Sequence, residues 1–492
     1  MSERAGVAGA AARGMAWAMA AAVSGRVISV VGLVVLARLL APEDFGLLAI
    51  ALVIVTYLET LGDLGVGAAL VYWPRRAEEA ARLAFAVNVV TGAAWGLAMI
   101  LAAPWLAGFF ERPDAVWIIR AMALSFPVKA LGNAHDALLR KELRFRARML
   151  PEVGMGAAKA AVAIALAAGL GWGAWSLVVG HLAGLAVWTA VLWRVEPWRP
   201  GGPLPLDLFG PMLRYGRGLV AVNVLAAVVH HADLVVVGRM LGATALGFYQ
   251  IAYKVPEMSI AMLIWVAGRV LFPAFSRIHA AGEDVGRAYV ASIRYVSLMS
   301  LPAAVGLVLL AEPIVTVVFG SKWAPAAPML QALAVYIGLR SVGTPAGDVL
   351  KGTGRTGLLA GLALVKAIIL VPALIWAGGF DASAVAWTMA AVAVVTTTLN
   401  LGVVQWRYGV PVPVALRGAA PGGAASAIMA AAVLGWTRWV ASAGSVIGLA
   451  AAVLVGALVY VGAVGALFPD ILSRAKRTLL ADTPPLAEGA PK

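Results

Sequence analysis

The stretch Arg38–Ala51, RLLAPEDFGLLAIA, recurs without gaps as Arg239–Ala252, RMLGATALGFYQIA. Each copy lies between two long apolar runs, so each marks the turn between the first and second membrane helices of one half of the chain. A motif repeated at this distance predicts a chain built from two copies of one helical unit. Chance similarity within low-complexity apolar sequence is the alternative.

Two further matches occur in the same order along the chain. The first pairs Pro104–Phe110 with Pro313–Phe319. The second pairs Lys129, Gly132 and Asp136 with Arg340, Gly343 and Asp348, with one residue inserted. Three ordered matches predict two six-helix bundles in the same orientation, residues 1–200 and 201–410, followed by two helices in 411–470 and a tail in 471–492. Parallel repeats of this kind are a transporter architecture, with the substrate path between the bundles.

The composition requires a membrane protein. Hydrophobic residues make up 62% of the 492 residues and charged residues only 13%, about half the charged share of a soluble domain. A soluble enzyme, a coiled coil and a disordered tail protein are therefore excluded. The chain has no Cys, which excludes disulfides, thiolate metal sites and Cys nucleophiles.

Apolar runs long enough to cross a bilayer of about 30 Å number fourteen. They lie at 15–36, 46–70, 83–108, 115–137, 153–170, 173–193, 215–237, 246–271, 289–310, 326–350, 358–378, 382–404, 417–437 and 444–467. With the N-terminus placed in the cytoplasm, the outer loops hold only Arg38, Arg112, Arg239, Lys322 and Arg438 of the 38 basic residues. This asymmetry predicts an all-α polytopic protein with both termini cytoplasmic. The net charge of +14 is therefore mostly topological, and no motif indicates nucleic-acid binding.

Six short motifs resemble the polysaccharide-export branch of the multidrug/oligosaccharidyl-lipid/polysaccharide (MOP) flippase superfamily. They are Ala37–Gly46, Asp63–Gly65, Gly67–Val71, Leu138–Phe145, Val318–Trp323 and Leu350–Arg355. The resemblance covers about residues 15–410 and fades over the last two helices. It implies the V-shaped fold of that superfamily and the activity of Wzx-type flippases, which are transporters and not enzymes. Such flippases move undecaprenyl-pyrophosphate-linked oligosaccharides across the bacterial inner membrane. Membrane lipids and polysaccharide polymerase or export proteins are the partners that the resemblance implies.

Basic residues within the spans are the candidate ligands of a pyrophosphate group. A charge at a helix centre costs at least about 2.5 kcal/mol, and Arg and Lys suit a compact dianion. The candidates are Arg26, Lys129, Arg340 and Arg269. Lys129 and Arg340 occupy equivalent repeat positions, so we expect them to face each other across the central axis. The alternatives are an ion pair of Arg26 with Glu59 or Asp63, and snorkelling of the other three side chains to the inner headgroups.

Acidic residues and histidines within the spans are candidates for coupling or gating: Glu59, Asp63, His230, His231 and Asp233. His titrates near neutral pH and would sense protons, whereas polar contacts between the bundles are the structural alternative. The spacing His-His-x-Asp does not place all three side chains on one helix face, so no metal site is predicted. No cofactor is expected, and coupling to H+ or Na+ stays open. Lys254 and Glu257 are spaced to neutralise each other.

Two other function classes compete with a flippase. A cation-coupled drug exporter of the same superfamily would have a cavity rich in carboxylates, whereas basic residues outnumber acidic ones within these spans. A membrane glycosyltransferase or polymerase would need a large outer loop with catalytic groups. Every predicted outer loop is shorter than about 20 residues, a connection length that leaves little room for a catalytic site.

Overall fold

The computed structural model describes residues 25, 28–62, 65–72, 76–142, 144–440 and 444–470. All secondary structure in these residues is helical. The first half contains α1 (Ile28–Leu39), α2 (Pro42–Gly62), α3 (Val66–Tyr72), α4 (Ala77–Phe109), α5 (Ala115–Met122), α6 (Ser125–Lys141), α7 (Phe145–Leu170) and α8 (Ala174–Val195). α7 ends at Gly171, whose φ of 63° is left-handed, a conformation that glycine adopts without a steric penalty.

The second half begins with a short 3-10 turn, Leu206–Leu208. Its helices are α9 (Phe209–Met240), α10 (Gly242–Pro256), α11 (Met262–Ala280), α12 (Val285–Leu309), α13 (Ala311–Pro313), α14 (Ala327–Gly352), α15 (Thr356–Gly378) and α16 (Ala382–Tyr408). The last two helices are α17 (Val412–Trp439) and α18 (Val446–Leu467).

Two segments of the second half are π-helical, and each directly follows a proline. Glu257–Ala261 follows Pro256, and Ile314–Phe319 follows Pro313. Proline has no N–H to donate and its ring crowds the carbonyl of the preceding turn, so the hydrogen-bond pattern is re-formed with wider spacing. Segments of this kind occur frequently at functional sites.

Eleven helices of the described residues are long and apolar enough to cross a membrane. They coincide with all the predicted spans except the first, the eighth and the tenth. Most of the first span lies outside the described residues, and its remainder is α1. The eighth corresponds to α10, its π segment and part of α11, and the tenth corresponds to α14. The chain is therefore a multi-pass membrane protein.

The helices pack as two compact units, Met1–Ile251 with Ala363–Thr388 and Ala252–Leu362 with Met389–Lys492. Small residues let helices approach closely, as membrane helices require. In unit 1, a Cβ on Gly184 of α8 would lie 2.8 Å from the carbonyl oxygen of Met155 in α7. In unit 2, Phe275, Tyr289 and Ile293 belong to an apolar core formed with α14 and α16. The predicted domain limits at residues 200, 410 and 470 stay predictions.

Candidate functional site

A polar cluster lies between the helices of unit 1, and Lys129 is at its centre. Its Nζ lies 2.7 Å from Oε2 of Glu59, which joins α6 to α2. The side chains keep 38% and 30% of their surface exposed, so the pair borders an open space. The ion-pair alternative for Arg26 named Glu59 or Asp63 as its partner, and the structure pairs Glu59 with Lys129. Arg26 and Asp63 lie outside the described residues.

Three further side chains are linked electrostatically to this cluster, and the sequence analysis did not select them as site residues. His181 of α8 interacts electrostatically with Lys159 and Lys129, and Glu152 of α7 interacts with Lys129. Four helices thus each place a charged or titratable group in one region of unit 1. The pair of Glu59 and Lys129 could have been found from their similar depth in the membrane. Glu59 lies about 26 Å along its span from Pro42, and Lys129 lies about 21 Å along its span from Ala115.

Unit 2 holds a second cluster, built around Arg340 of α14. Its guanidinium interacts electrostatically with Tyr336, one turn earlier in the helix, and with Tyr253 and Glu257. Glu257 is the first residue of the π segment. Its Oε2 lies 2.7 Å from Nζ of Lys254, which confirms the predicted pair.

Two expectations for the basic residues stay predictions. Arg269 lies in α11, and its side chain is outside the described residues. Lys129 belongs to unit 1 and Arg340 to unit 2, so the expected arrangement of the two across a central axis is still a prediction.

Asp233 of α9 is buried and hydrogen-bonded on both oxygens. Oδ2 accepts from the Tyr249 hydroxyl at 2.9 Å, and Oδ1 accepts from the backbone N–H of Leu234 at 2.9 Å. Lys366 and Tyr57 interact with it electrostatically. The ring of Tyr57 also lies 6.5 Å from that of His231. The predicted titratable cluster is therefore joined by two tyrosines and a lysine from other helices.

No group of three or more metal-ligating side chains occurs within the part of the chain that the structure describes. The rings of His230 and His231 in α9 lie 6.5 Å apart.

The two copies of the repeated motif contact each other reciprocally. A Cβ on Gly46 would overlap the carbonyl oxygen of Ala243, and a Cβ on Gly247 would overlap that of Pro42. Gly46 and Gly247 are equivalent positions of the motif, as are Pro42 and Ala243. Both glycines let the starts of α2 and α10 touch through the backbone.

Ion pairs surround this contact at the end of unit 1 that the sequence predicts to be extracytoplasmic. Arg239 of α9 lies 2.6 Å from Glu111, in the turn after α4. Arg112 lies 2.6 Å from Asp114 and also pairs with Glu43 of α2. The Arg112 guanidinium holds the pKa of the Asp114 carboxyl below its usual value, mainly through their hydrogen bond. The motif contact and these pairs together tie α2, α4, α9 and α10 at one end.

Residues 35–328 match the family described as polysaccharide biosynthesis protein. The chain belongs to this family. Among curated members, it is 29% identical over 382 residues to the lipopolysaccharide biosynthesis protein WzxC of Escherichia coli (strain K12), with 76% of each chain covered. It is also 29% identical over 351 residues to the succinoglycan biosynthesis transport protein ExoT of Rhizobium meliloti (strain 1021), with 71% of each chain covered.

Two solved structures of other proteins are similar in fold to this chain. The lipid II flippase MurJ in an inward closed conformation matches with a TM-score of 0.78 at 14% identity, covering 92% of this chain and 99% of that one. An inward-facing MATE family multidrug resistance transporter of the MOP superfamily matches with a TM-score of 0.68 at 14% identity, covering 78% and 94%. The chain therefore shares the helical fold of these two transporters.

Proposed function

We propose that this chain is a flippase that moves lipid-linked oligosaccharides, carried on undecaprenyl pyrophosphate, across the bacterial inner membrane for surface polysaccharide synthesis. The observation that carries the proposal is the cluster around Lys129. Charged groups within membrane helices mark substrate or ion pathways, and in this cluster the partly exposed Lys129 pairs with Glu59. The names of the two relatives, a lipopolysaccharide biosynthesis protein and a succinoglycan biosynthesis transport protein, support the same class of cargo.

A deletion strain tests the proposal. Loss of the gene is expected to abolish the surface polysaccharide and to leave a lipid-linked glycan on the inner leaflet, detected by lipid extraction and mass spectrometry. Accumulation of no such glycan would contradict it and would favour a drug exporter.

Complementation with variants tests the site. The double variant Lys129→Gln, Arg340→Gln removes both cations expected to bind pyrophosphate, so export should be lost at normal protein level. Arg287→Gln is the matched control, because it removes one cation from a side chain that is 89% exposed. Export that survives the double substitution would refute the assignment of these two residues.

The architecture that supports this function is two parallel six-helix halves, with fourteen spans in all and both termini in the cytoplasm. Three ordered sequence matches and the asymmetric distribution of Lys and Arg support it. In alternating access, the reciprocal Gly46 and Gly247 contact would close the extracytoplasmic side.

Reporter fusions after residues 200, 410 and 470 test this topology. Each fusion is expected to report a cytoplasmic location, and a periplasmic signal would contradict the predicted number of spans.

Proton coupling at Asp233 is proposed as the energy source. Asp233 is held by Tyr249 and interacts with Lys366, so its protonation would change a charge contact between α9 and α15. Asp233→Asn in proteoliposomes should remove the dependence of transport on a proton gradient while leaving passive exchange. A rate driven by a Na+ gradient alone in the wild type would refute proton coupling. Polysaccharide polymerase or export proteins remain the proposed protein partners.

A further inference from the structure

A cavity of about 660 Å³ opens between four helices of unit 1. Its walls are Val53 and Ile54 of α2, Leu106 of α4, Val236 of α9 and Val371 of α15. Almost every lining atom is apolar. Tyr57 lines the cavity at one end, and Arg239 lines it near the last turn of α9. It is separate from the polar cluster around Lys129, because neither that residue nor its partners line it.

The cavity has the depth of one bilayer leaflet. Along α2, Val53 and Tyr57 lie about 16 Å and 22 Å from Pro42, whereas Arg239 and Phe109 lie within one residue of the ends of their helices. The cavity therefore extends from the predicted outer surface toward the midplane. Half of a hydrocarbon core of about 30 Å is about 15 Å. A lipid chain lying along the cavity would match this depth.

The apolar lining of the cavity favours a hydrocarbon chain as the ligand. A sugar hydroxyl buried there would lose its hydrogen bonds to water and gain none, at a cost of about 1–3 kcal/mol for each group. A hydrated ion would lose more. Side chains at the rim, among them Phe109 and Ile375, are about half exposed, so a chain can enter sideways from the surrounding lipid.

Arg239 lines the outer end of the cavity with the carbon part of its side chain, and its guanidinium lies beside that end. The guanidinium lies 5.7 Å from the ring centroid of Phe109 and pairs with Glu111 through one nitrogen at 2.6 Å. A guanidinium has five N–H donors and binds phosphate well, so it can bind a phosphate oxygen while it keeps Glu111. The apolar walls would contact the chain of a lipid, and the guanidinium beside the outer end would contact its anionic head group.

We propose that this cavity binds the polyprenyl tail of the lipid carrier in the outer leaflet, with the carrier phosphate at Arg239. The proposal rests on the flippase function proposed above and adds a site for the tail. Retention of the tail at the outer surface would hold the carrier beside the protein after the head group has crossed.

Equilibrium binding to the purified full-length chain tests the site, with a long-chain polyprenyl phosphate that carries no sugar as the probe. Val371→Phe and Ala232→Phe each fill the cavity from a different wall and should weaken binding about tenfold or more. Arg239→Gln should weaken it about tenfold through loss of a charge-assisted hydrogen bond. Val365→Phe is the matched control on α15, because Val365 does not line the cavity and is 41% exposed; its binding should equal that of the wild type.

Two results would overturn the site. One is unchanged binding in both filled variants, each checked for native thermal unfolding. The other is equal binding of phosphatidylglycerol by the wild type, which would identify an ordinary phospholipid site. The outcome is independent of the flippase test: glycan accumulation in the deletion strain with no polyprenyl phosphate binding removes this site alone, whereas binding without accumulation removes the proposed transport function.

Discussion

Two regions that are equivalent in the sequence, α2 with its partner α6 and α10–α11 with its partner α14, treat their charges differently. α2 is one unbroken helix, and its Glu59 pairs with Lys129 of α6. The other region is interrupted after Pro256, and its Glu257 pairs with Lys254, three residues earlier. Arg340 interacts electrostatically with Tyr336 of its own helix and with Tyr253 and Glu257 of the interrupted region. The first arrangement joins two helices by a direct ion pair, whereas in the second the ion pair lies within one segment.

The largest effect is expected where the two regions touch. Gly46→Ala and Gly247→Ala each place a methyl group on a backbone carbonyl, so each should lower the free energy of unfolding by about 2 kcal/mol or more and abolish export. If the contact is symmetric, both losses should be similar, as measured by thermal unfolding of the purified chain and by complementation.

Gly108→Ala is the control for these substitutions, since no atom lies within 4 Å of its added Cβ. It should be neutral or stabilising by up to about 1 kcal/mol. A large loss for only one of the motif glycines would show that the two regions are not equivalent at this contact.

A double-mutant cycle on Glu59 and Lys129 tests whether this pair joins its helices. The loss of unfolding free energy in the double variant Glu59→Gln, Lys129→Met should be smaller than the sum of the losses in the two single variants. The difference, which is the coupling energy, should be about 1 kcal/mol. This value lies between those of exposed and buried pairs, because both side chains keep about a third of their surface. The same cycle on Glu257 and Arg340 should give a smaller coupling, and equal couplings would remove the contrast between the regions.

Pro256→Ala should make the second region resemble the first. The alanine restores a backbone N–H, and regular α-helical hydrogen bonding in place of the π segment should stabilise the chain by about 1 kcal/mol. The same change rotates Glu257 relative to Arg340, so export should fall although stability rises. Unchanged export in the stabilised variant would show that the π segment has no role in transport.

The smallest effect is expected at Asp114, outside the spans. Its pKa is lowered by Arg112, so its contribution is present above the unfolded pKa of about 3.9 and disappears as the pH falls through the lower folded pKa. Asp114→Asn should cost at most about 0.5 kcal/mol at pH 7, because half of the Asp114 side chain is exposed. The difference from wild type should vanish near pH 2 in thermal unfolding, and a difference that persists there would contradict an ionic origin.

Features set by neighbours in the sequence could be predicted. Apolar runs gave eleven of the spans within about eight residues at each end, and the spacing of Lys254 and Glu257 gave their pair. The pairing of Glu59 with Lys129 joins two helices and depends on how α2 and α6 are rotated. Hydropathy does not specify that rotation. The interaction of His181 with Lys129 depends in the same way on how α8 packs against α6.

The π segments after Pro256 and Pro313 were not predicted. Proline occurs widely in membrane helices, and whether its freed carbonyls are met by a kink or by wider hydrogen-bond spacing depends on the packing of neighbouring helices.

Pro42 contacts Gly247, and the equivalent residues Ala243 and Gly46 contact each other in the same way. This is the pattern of a two-fold dimer interface, in which residue i of one copy contacts residue j of the other, and residue j of the first contacts residue i of the second. A single polypeptide here contains the self-complementary surface of a homodimer. A substitution in one copy alone creates a mismatch that the other copy does not share. The two copies must therefore change together for the fit to survive, although each is encoded separately.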